Sequence, residues 1–443
     1  MEDYRALADA VAADIAAGRL RAGDRLPTQR RFARDRGIAV STASRAYAEL
    51  GRRGLVAGEV GRGTFVRAAP PAPGPALAEH PQAPTVDLEL NFPVLDGQAE
   101  LLAPALSGLL RPDALRAGLT AGVATGTAAA REAAAAVLAC DGWAPPPDRV
   151  LFTGNGRQAI AAAVGALVPV GGRLGVEALT YPVARTIAAR LGVDLVPLPV
   201  DADGLRPDAL REAGRLDALF VQPTLHNPLG TTMSAGRREQ VAGVLVDRDL
   251  PVVEDRINAF LRDGPPPLAW YAPEQTVVVD SLSKRVAPGC TLGFLVPPAA
   301  RHERVRAAIR AGGWTAQSLP LEAATRWMAD GIVARIQRDK RADALRRQEL
   351  VAHRLAGFDV RRDPCAYHCW WELPEQWRAE TFVAAAARRG IAVTPAAAFA
   401  AGAGHAPNAV RLALATPPFD ALAAALDVLA ALGRGAGGHD GTE

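Results

Sequence analysis

At 443 residues, with 49% hydrophobic and 22% charged residues, the chain has room for two or three domains of ordinary globular composition. It has no run of 18 apolar residues and no basic-then-apolar N-terminus, so a cytoplasmic protein is expected, and Cys140, Cys290, Cys365 and Cys369 are too few and too scattered for a disulfide framework. The net charge of +3 is uneven: residues 1–67 hold 13 Arg against 8 Asp and Glu, a net +5, which leaves −2 for the rest. That is the footprint of a nucleic-acid-binding module joined to a near-neutral body.

Leu7, Val11 and Ile15 give residues 4–17 a helical spacing, and Gly18, Gly23 and Pro27 break it. Thr28 can cap a second helix through Gly37, with Arg30, Arg31 and Arg34 on its polar side. Ser41 and Thr42 open a third helix to about residue 53, and two glycine-punctuated strands come next, at 54–56 and 59–66. This order predicts a winged helix-turn-helix over residues 1–67. The short hydroxyls of Ser41, Thr42 and Ser44 then stand at the start of a recognition helix. Arg30 and Arg45 are suited to phosphate or guanine, and the Gly61-Arg62-Gly63 wing can approach the DNA backbone. Four motifs in this order resemble the GntR-type winged helix: Gly23-Asp24-Arg25-Leu26-Pro27-Thr28-Gln29-Arg30, Tyr47-Ala48-Glu49-Leu50, Gly54-Leu55-Val56 and Gly61-Arg62-Gly63-Thr64-Phe65-Val66.

Residues 68–85, with six prolines and no hydrophobic period, read as a semi-rigid linker. From residue 86 to 435 alanine-rich helices alternate with short apolar strands at 149–152, 174–176, 195–198, 218–221, 251–253 and 276–279. That alternation predicts an α/β domain with a mixed, mostly parallel sheet and its functional groups at strand C-termini. A small C-terminal α+β subdomain is expected over about 330–435, and a disordered tail over 436–443.

The strand ends carry the chemistry. After 149–152 comes Thr153-Gly154-Asn155-Gly156-Arg157-Gln158-Ala159, a glycine turn opening a helix that can hold a phosphate on its N–H groups. The same residues match GxGxxA, with Glu177 about twenty residues on, so a dinucleotide site is an open alternative. Tyr181 comes after the strand at 174–176, Asn227 after 218–221, and Glu254 and Asp255 after 251–253. Ser281-Leu282-Ser283-Lys284 comes after 276–279, and Lys284 is one of only two lysines, with Lys340, among 50 basic residues. A lysine kept where arginine serves everywhere else offers a titratable amine that condenses with an aldehyde. Cys365, His368 and Cys369 crowd together, but 367–373 reads as a buried strand, and no second ligand pair makes a metal site.

A pyridoxal-phosphate site uses all of these groups: lysine, carboxylate, amide, aromatic, hydroxyls and a helix N-terminus. Residues 86–435 resemble a fold-type I aminotransferase domain, and its fusion to a GntR-type winged helix resembles the MocR regulators. The resemblance implies that Lys284 carries the cofactor as an aldimine and Asp255 pairs with the pyridine nitrogen. It further implies that Asn227 bonds the ring hydroxyl, Tyr181 stacks, and Ser281 and Ser283 hold the phosphate beside Gly156 and Arg157. Arg411, within Asn408-Ala409-Val410-Arg411-Leu412-Ala413-Leu414, takes an effector carboxylate. Three positions depart from the family: Thr291 replaces a phosphate-binding arginine, Ile257 or Asn258 stands where a tyrosine is usual, and no tyrosine lies near 118–126. Arg285 or Arg157 is expected to substitute for the lost cation. The implied function is a regulator sensing an amino compound or the cofactor, as a head-to-tail homodimer on two DNA half-sites. The alternative is a working aminotransferase with an appended DNA-binding domain.

Overall fold

The computed structural model describes residues 4–16, 19–20, 24–52, 55–59, 63–66, 86–140, 142–402 and 406–435. Two compact units divide the chain, the first ending at Glu79 and the second beginning at His80. Gly61 and Arg62 of the expected wing, the linker and the expected tail lie outside the described residues.

In the first unit α1 (Tyr4–Ala16), α2 (Gln29–Arg36) and α3 (Val40–Arg52) precede a hairpin of Val56–Glu59 and Gly63–Val66. Thr28 caps α2, its hydroxyl accepting from Arg31 N, and Gly37 ends it in the left-handed conformation that a C-terminal glycine favours. Phe32, Ala43, Tyr47 and Leu50 are buried with Val11, Val56 and Val66, and Phe32 meets Tyr47 edge-on at 5.3 Å. Asp24–Leu26 extends the hairpin: Leu26 N donates to Thr64 O and Val66 N to Asp24 O, each at 2.8 Å. Gly63 has φ 119°, and a Cβ there would lie 2.7 Å from Arg25 Nε, so this wing residue must be glycine.

The second unit is built on a seven-stranded sheet, in spatial order Leu151–Thr153, Gly293–Val296, Thr276–Ser281, Val252–Asp255, Ala218–Val221, Arg173–Glu177 and Asp194–Leu198. Only Gly293–Val296 runs against its neighbours. The inner strands Ala218–Val221, Val252–Asp255, Thr276–Ser281 and Gly293–Val296 are buried throughout, because helices cover both faces of the sheet. A second sheet orders Asp359–Arg362, His368–Glu372, Ala409–Ala413, Ile391–Pro395 and Val86–Leu88. Its last strand comes from immediately after the linker, some 300 residues before its partner Ile391–Pro395. The helix Ile332–Arg354 leads into this smaller sheet. Among the described residues no helix is long and apolar enough to cross a membrane.

Candidate cofactor and effector site

The parallel strands put their C-terminal ends on one edge, and the side chains there are joined to one another. Asp255 ends Val252–Asp255, buried; its Oδ2 accepts from Gln222 Nε2 at 2.7 Å and its Oδ1 from Ile257 N at 3.0 Å. Gln222, one residue beyond Ala218–Val221, also accepts from Asn227 N at 3.2 Å, so one amide fixes both the carboxylate and the Asn227 turn. Asn227 precedes a cis peptide to Pro228. Glu177 accepts from Gln222 N and lies 3.1 Å from His226 Nε2.

Lys284 lies on the short helix Leu282–Arg285 and donates to Asn258 Oδ1 at 3.0 Å. Burial lowers the ammonium's pKa, Asp255 opposes that shift, and Arg411 adds to it. Burial raises the Asp255 carboxyl, against hydrogen bonds from Ile257 and Gln222 and the charge of Lys284. The charges of Lys284 and Asp255 thus support one another in a low-dielectric site.

On one side of this pair the glycine turn meets the serines. A Cβ on Gly156 would stand 2.9 Å from Ser281 Oγ, so glycine alone lets the helix Gly156–Leu167 start this close to Ser281. Asn155 caps that helix, accepting from Gln158 N, and Ser281 Oγ lies 2.7 Å from Ser283 Oγ. Thr291 Oγ1 is buried without a hydrogen-bond partner among the described residues. Arg157 faces the Tyr181 phenol, whose pKa burial raises; Asp255 and Arg411 also act on that phenol.

Arg411 lies on the other side, in the strand Ala409–Ala413. Nη2 donates to Glu89 O at 2.6 Å and to Thr394 Oγ1 at 2.9 Å, and Nη1 donates to Asn227 Oδ1 at 3.5 Å. The guanidinium lies over the Phe399 ring, and its buried Nε has no partner among the described residues. Burial pulls its pKa down to about 10.

Lys284, Asp255, Asn227, Tyr181, Arg157 and Arg411 thus converge, with Gly156, Ser281 and Ser283 adjoining. Arg285 does not join them. It pairs with buried Asp280, Nη2 to Oδ2 at 2.5 Å, and lies over Phe260, so it cannot supply the missing phosphate cation. Helix geometry explains this, because consecutive helical residues point about 100° apart and the side chain after Lys284 leaves in a different direction. Glu177 is spent on Gln222 and His226, and the glycine turn comes after an edge strand not adjacent to Arg173–Glu177, which removes the dinucleotide reading. His368 Nε2 meets His226 O at 2.9 Å, and among the described residues no group of three or more His, Cys, Asp or Glu is placed to hold a metal. Sequence reasoning missed Gln222 and Thr394, of which Gln222 carried a signal, its place at a strand C-terminus; it named Asn258 only as a departure from the family and missed its contact with Lys284.

On α3, Ser41, Ser44 and Arg45 are exposed on one face while Ala43, Ala46, Tyr47 and Leu50 are buried on the other; Thr42 is half-buried. Arg30 is exposed on α2, and Arg45 lies over the Tyr4 ring at 4.3 Å, which holds the guanidinium near the helix.

Residues 3–66 match the gntR family of bacterial regulatory proteins, and residues 115–429 match aminotransferase class I and II. An uncharacterized HTH-type transcriptional regulator of Bacillus subtilis, YdeF, is 30% identical over 94% of this chain and 90% of its own length. A probable rhizopine catabolism regulatory protein of Rhizobium meliloti, MocR, is 26% identical over 79% of this chain and 76% of its own. Among solved structures, an archaeal alanine:glyoxylate aminotransferase superposes with TM-score 0.72 at 21% identity, over 79% of this chain and 91% of that one, which shows the fold. Winged helix, aminotransferase-type fold and full-length likeness agree: the chain belongs to the MocR-type transcriptional regulators, GntR-type DNA-binding proteins whose second domain is of aminotransferase class I and II and takes pyridoxal phosphate as its cofactor.

Proposed function

We propose that the aminotransferase-type domain reads a small amino compound, or pyridoxal phosphate itself, and that the winged helix carries the result to operator DNA. One observation carries this reading. A primary amine held below its ordinary pKa, Lys284, and a buried guanidinium with an unpartnered Nε, Arg411, share one site, matched to the amine and carboxylate of a single ligand.

The residues fit the cofactor. When bound, pyridoxal phosphate supplies an aldehyde carbon that accepts primary amines and a ring that withdraws electrons. Lys284 would anchor the aldehyde, and Asp255, kept in place by Gln222, would hold the ring nitrogen's proton. Asn227 would donate to the ring hydroxyl, and Tyr181 would stack. The first turn from Gly156, with Ser281, Ser283 and Arg157, would hold the phosphate, and the orphaned Thr291 hydroxyl is a further donor in place of the arginine. Asn258 favours binding over turnover: the group on Lys284 Nζ is an amide, which cannot exchange a proton as a phenol does. On the DNA side, Arg30, Ser41, Thr42, Ser44, Arg45 and the wing at Gly61, Arg62 and Gly63 would meet phosphates and base edges. A head-to-tail homodimer in the cytoplasm would span two half-sites.

The test is the absorbance of the purified protein with added pyridoxal phosphate, before and after borohydride, for wild type and Lys284→Ala. A long-wavelength band that borohydride removes and the variant lacks supports the reading, and amino compounds should then alter DNA affinity. Absence of the band at any cofactor concentration refutes it. Steady transamination of amino-acid donors would favour the enzyme instead.

A further inference from the structure

The second lysine is more deeply buried than the first. Lys340, midway along the helix Ile332–Arg354, has no exposed surface. A cationic side chain held this far from water costs several kcal/mol unless its N–H groups are used. Its Nζ donates to two backbone carbonyls, and both belong to the turn that presents the first lysine: Lys284 O at 2.8 Å and Val286 O at 2.5 Å. Val286 O accepts a second bond from Gln98 Nε2 at 2.9 Å.

These carbonyls need an outside donor. The helix Leu282–Arg285 is four residues long, and the residue four beyond Lys284 is Pro288, which has no N–H to give. Lys340 is itself fixed from behind. Tyr367 Oη donates to Lys340 O at 2.8 Å and lies 3.0 Å from Asp343 Oδ2, and Asp343 is paired with Arg347 at 2.6 Å. Burial pushes Lys340 down to about 7, with Asp343 opposing. A neutral amine has two N–H groups, and here there are two carbonyls to take them. Both lysines of a chain with 48 arginines thus meet at one turn.

We propose that Lys340 is the positioning residue for Lys284: its Nζ clamps the Lys284 and Val286 carbonyls to the helix Ile332–Arg354, so the placement of the reactive amine is tied to the small subdomain. This rests on Lys284 being the reactive amine.

With two lysines, the full-length cofactor-free protein labelled with [13Cε]lysine gives two lysine resonances, assigned by Lys284→Ala. In Lys340→Met one signal disappears. The Lys284 midpoint should move upward by about half a pH unit or more, and backbone deuterium exchange over 282–288 should accelerate about tenfold or more. Lys340→Arg, which still donates to carbonyls, should recover part of both. An unchanged Lys284 midpoint with unchanged exchange, alongside a lower melting temperature, reduces Lys340 to packing and overturns the proposal. If Lys340→Met does not fold, Lys340→Arg decides: a Lys284 midpoint and 282–288 exchange equal to wild type overturn the proposal, and a shift in both sustains it. No cofactor is present in these measurements, so a missing borohydride-sensitive band would remove Lys284 as the reactive amine, while the Lys284 midpoint and the 282–288 exchange would still decide separately whether Lys340 holds that turn.

Discussion

Replacing Asp280 by alanine should destabilise the aminotransferase-type unit by about 3–5 kcal/mol, because it strands a buried guanidinium. The Arg285 and Asp280 side chains are 3% and 1% exposed, and two hydrogen bonds join them, at 2.5 and 3.3 Å. Arg285→Met leaves Asp280 with a bond from Ser281 N at 2.7 Å, so its cost should be smaller, about 1–3 kcal/mol. The double variant Asp280→Leu/Arg285→Met should recover most of the loss, since an apolar pair of similar volume replaces two desolvated charges. All seven tryptophans lie at position 143 or later, so tryptophan fluorescence in urea reports on this unit and not the winged helix. Because Arg285 stays on Asp280, folded Arg285→Met should bind pyridoxal phosphate within about threefold of wild type, under 1 kcal/mol. A variant that keeps its urea midpoint and loses tenfold in cofactor affinity would refute this, by showing that the guanidinium serves the phosphate.

Gly156→Ala places a methyl 2.9 Å from Ser281 Oγ and should weaken pyridoxal phosphate binding about tenfold in an absorbance titration, with a melting temperature near wild type. Asn258→Asp puts a carboxylate where the amide oxygen meets Lys284 Nζ and should raise the Lys284 midpoint, whereas Asn258→Ala removes an acceptor and should lower it; lysine NMR reads both. Arg411→Met should abolish the DNA-binding response to carboxylate-bearing amines while amines lacking a carboxylate still react, as read by fluorescence anisotropy on operator DNA. Lys340 titrates at about 7 against an ordinary 10.5, so the native fold binds fewer protons than the unfolded chain between those values. Its contribution is therefore present above 10.5 and is lost as pH falls toward 7. From pH 7.5 to 9.5 the stability of wild type should rise over Lys340→Met by about 1.4 kcal/mol per pH unit, and parallel urea midpoints would exclude the buried amine.

The sequence revealed the residues that local rules place. A strand of β-branched residues ends in one spot, so the residues closing Thr276–Ser281 and Val252–Asp255 stand at the sheet edge; that rule placed Lys284, already marked by its rarity, and the pair Glu254 and Asp255, and the family resemblance chose Asp255 between them. Asn258 and Gln222 act through contacts between separate turns, which spacing along the chain does not encode. Arg285 was misplaced for the same reason: its neighbour's role says nothing about which way it leaves the helix, and Asp280 settles that. Lys340 stood out as a rare residue, but its partners lie 54 and 56 positions away. The edge strand Val86–Leu88 is three residues long, too short for a period to show.

That strand and the residues just past it are tied to Arg411. Asp87 Oδ1 accepts from Glu89 N and Leu90 N, folding the chain just past the strand, and Thr416 Oγ1 donates to Leu90 O. Glu89 O in turn is held by Arg411 Nη2. The polypeptide arriving from the DNA-binding unit is therefore tethered, within four residues of Val86, to the guanidinium that an effector carboxylate would engage. An effector carboxylate that drew Arg411 Nη2 away from Glu89 O would loosen the hold on residues 86–90.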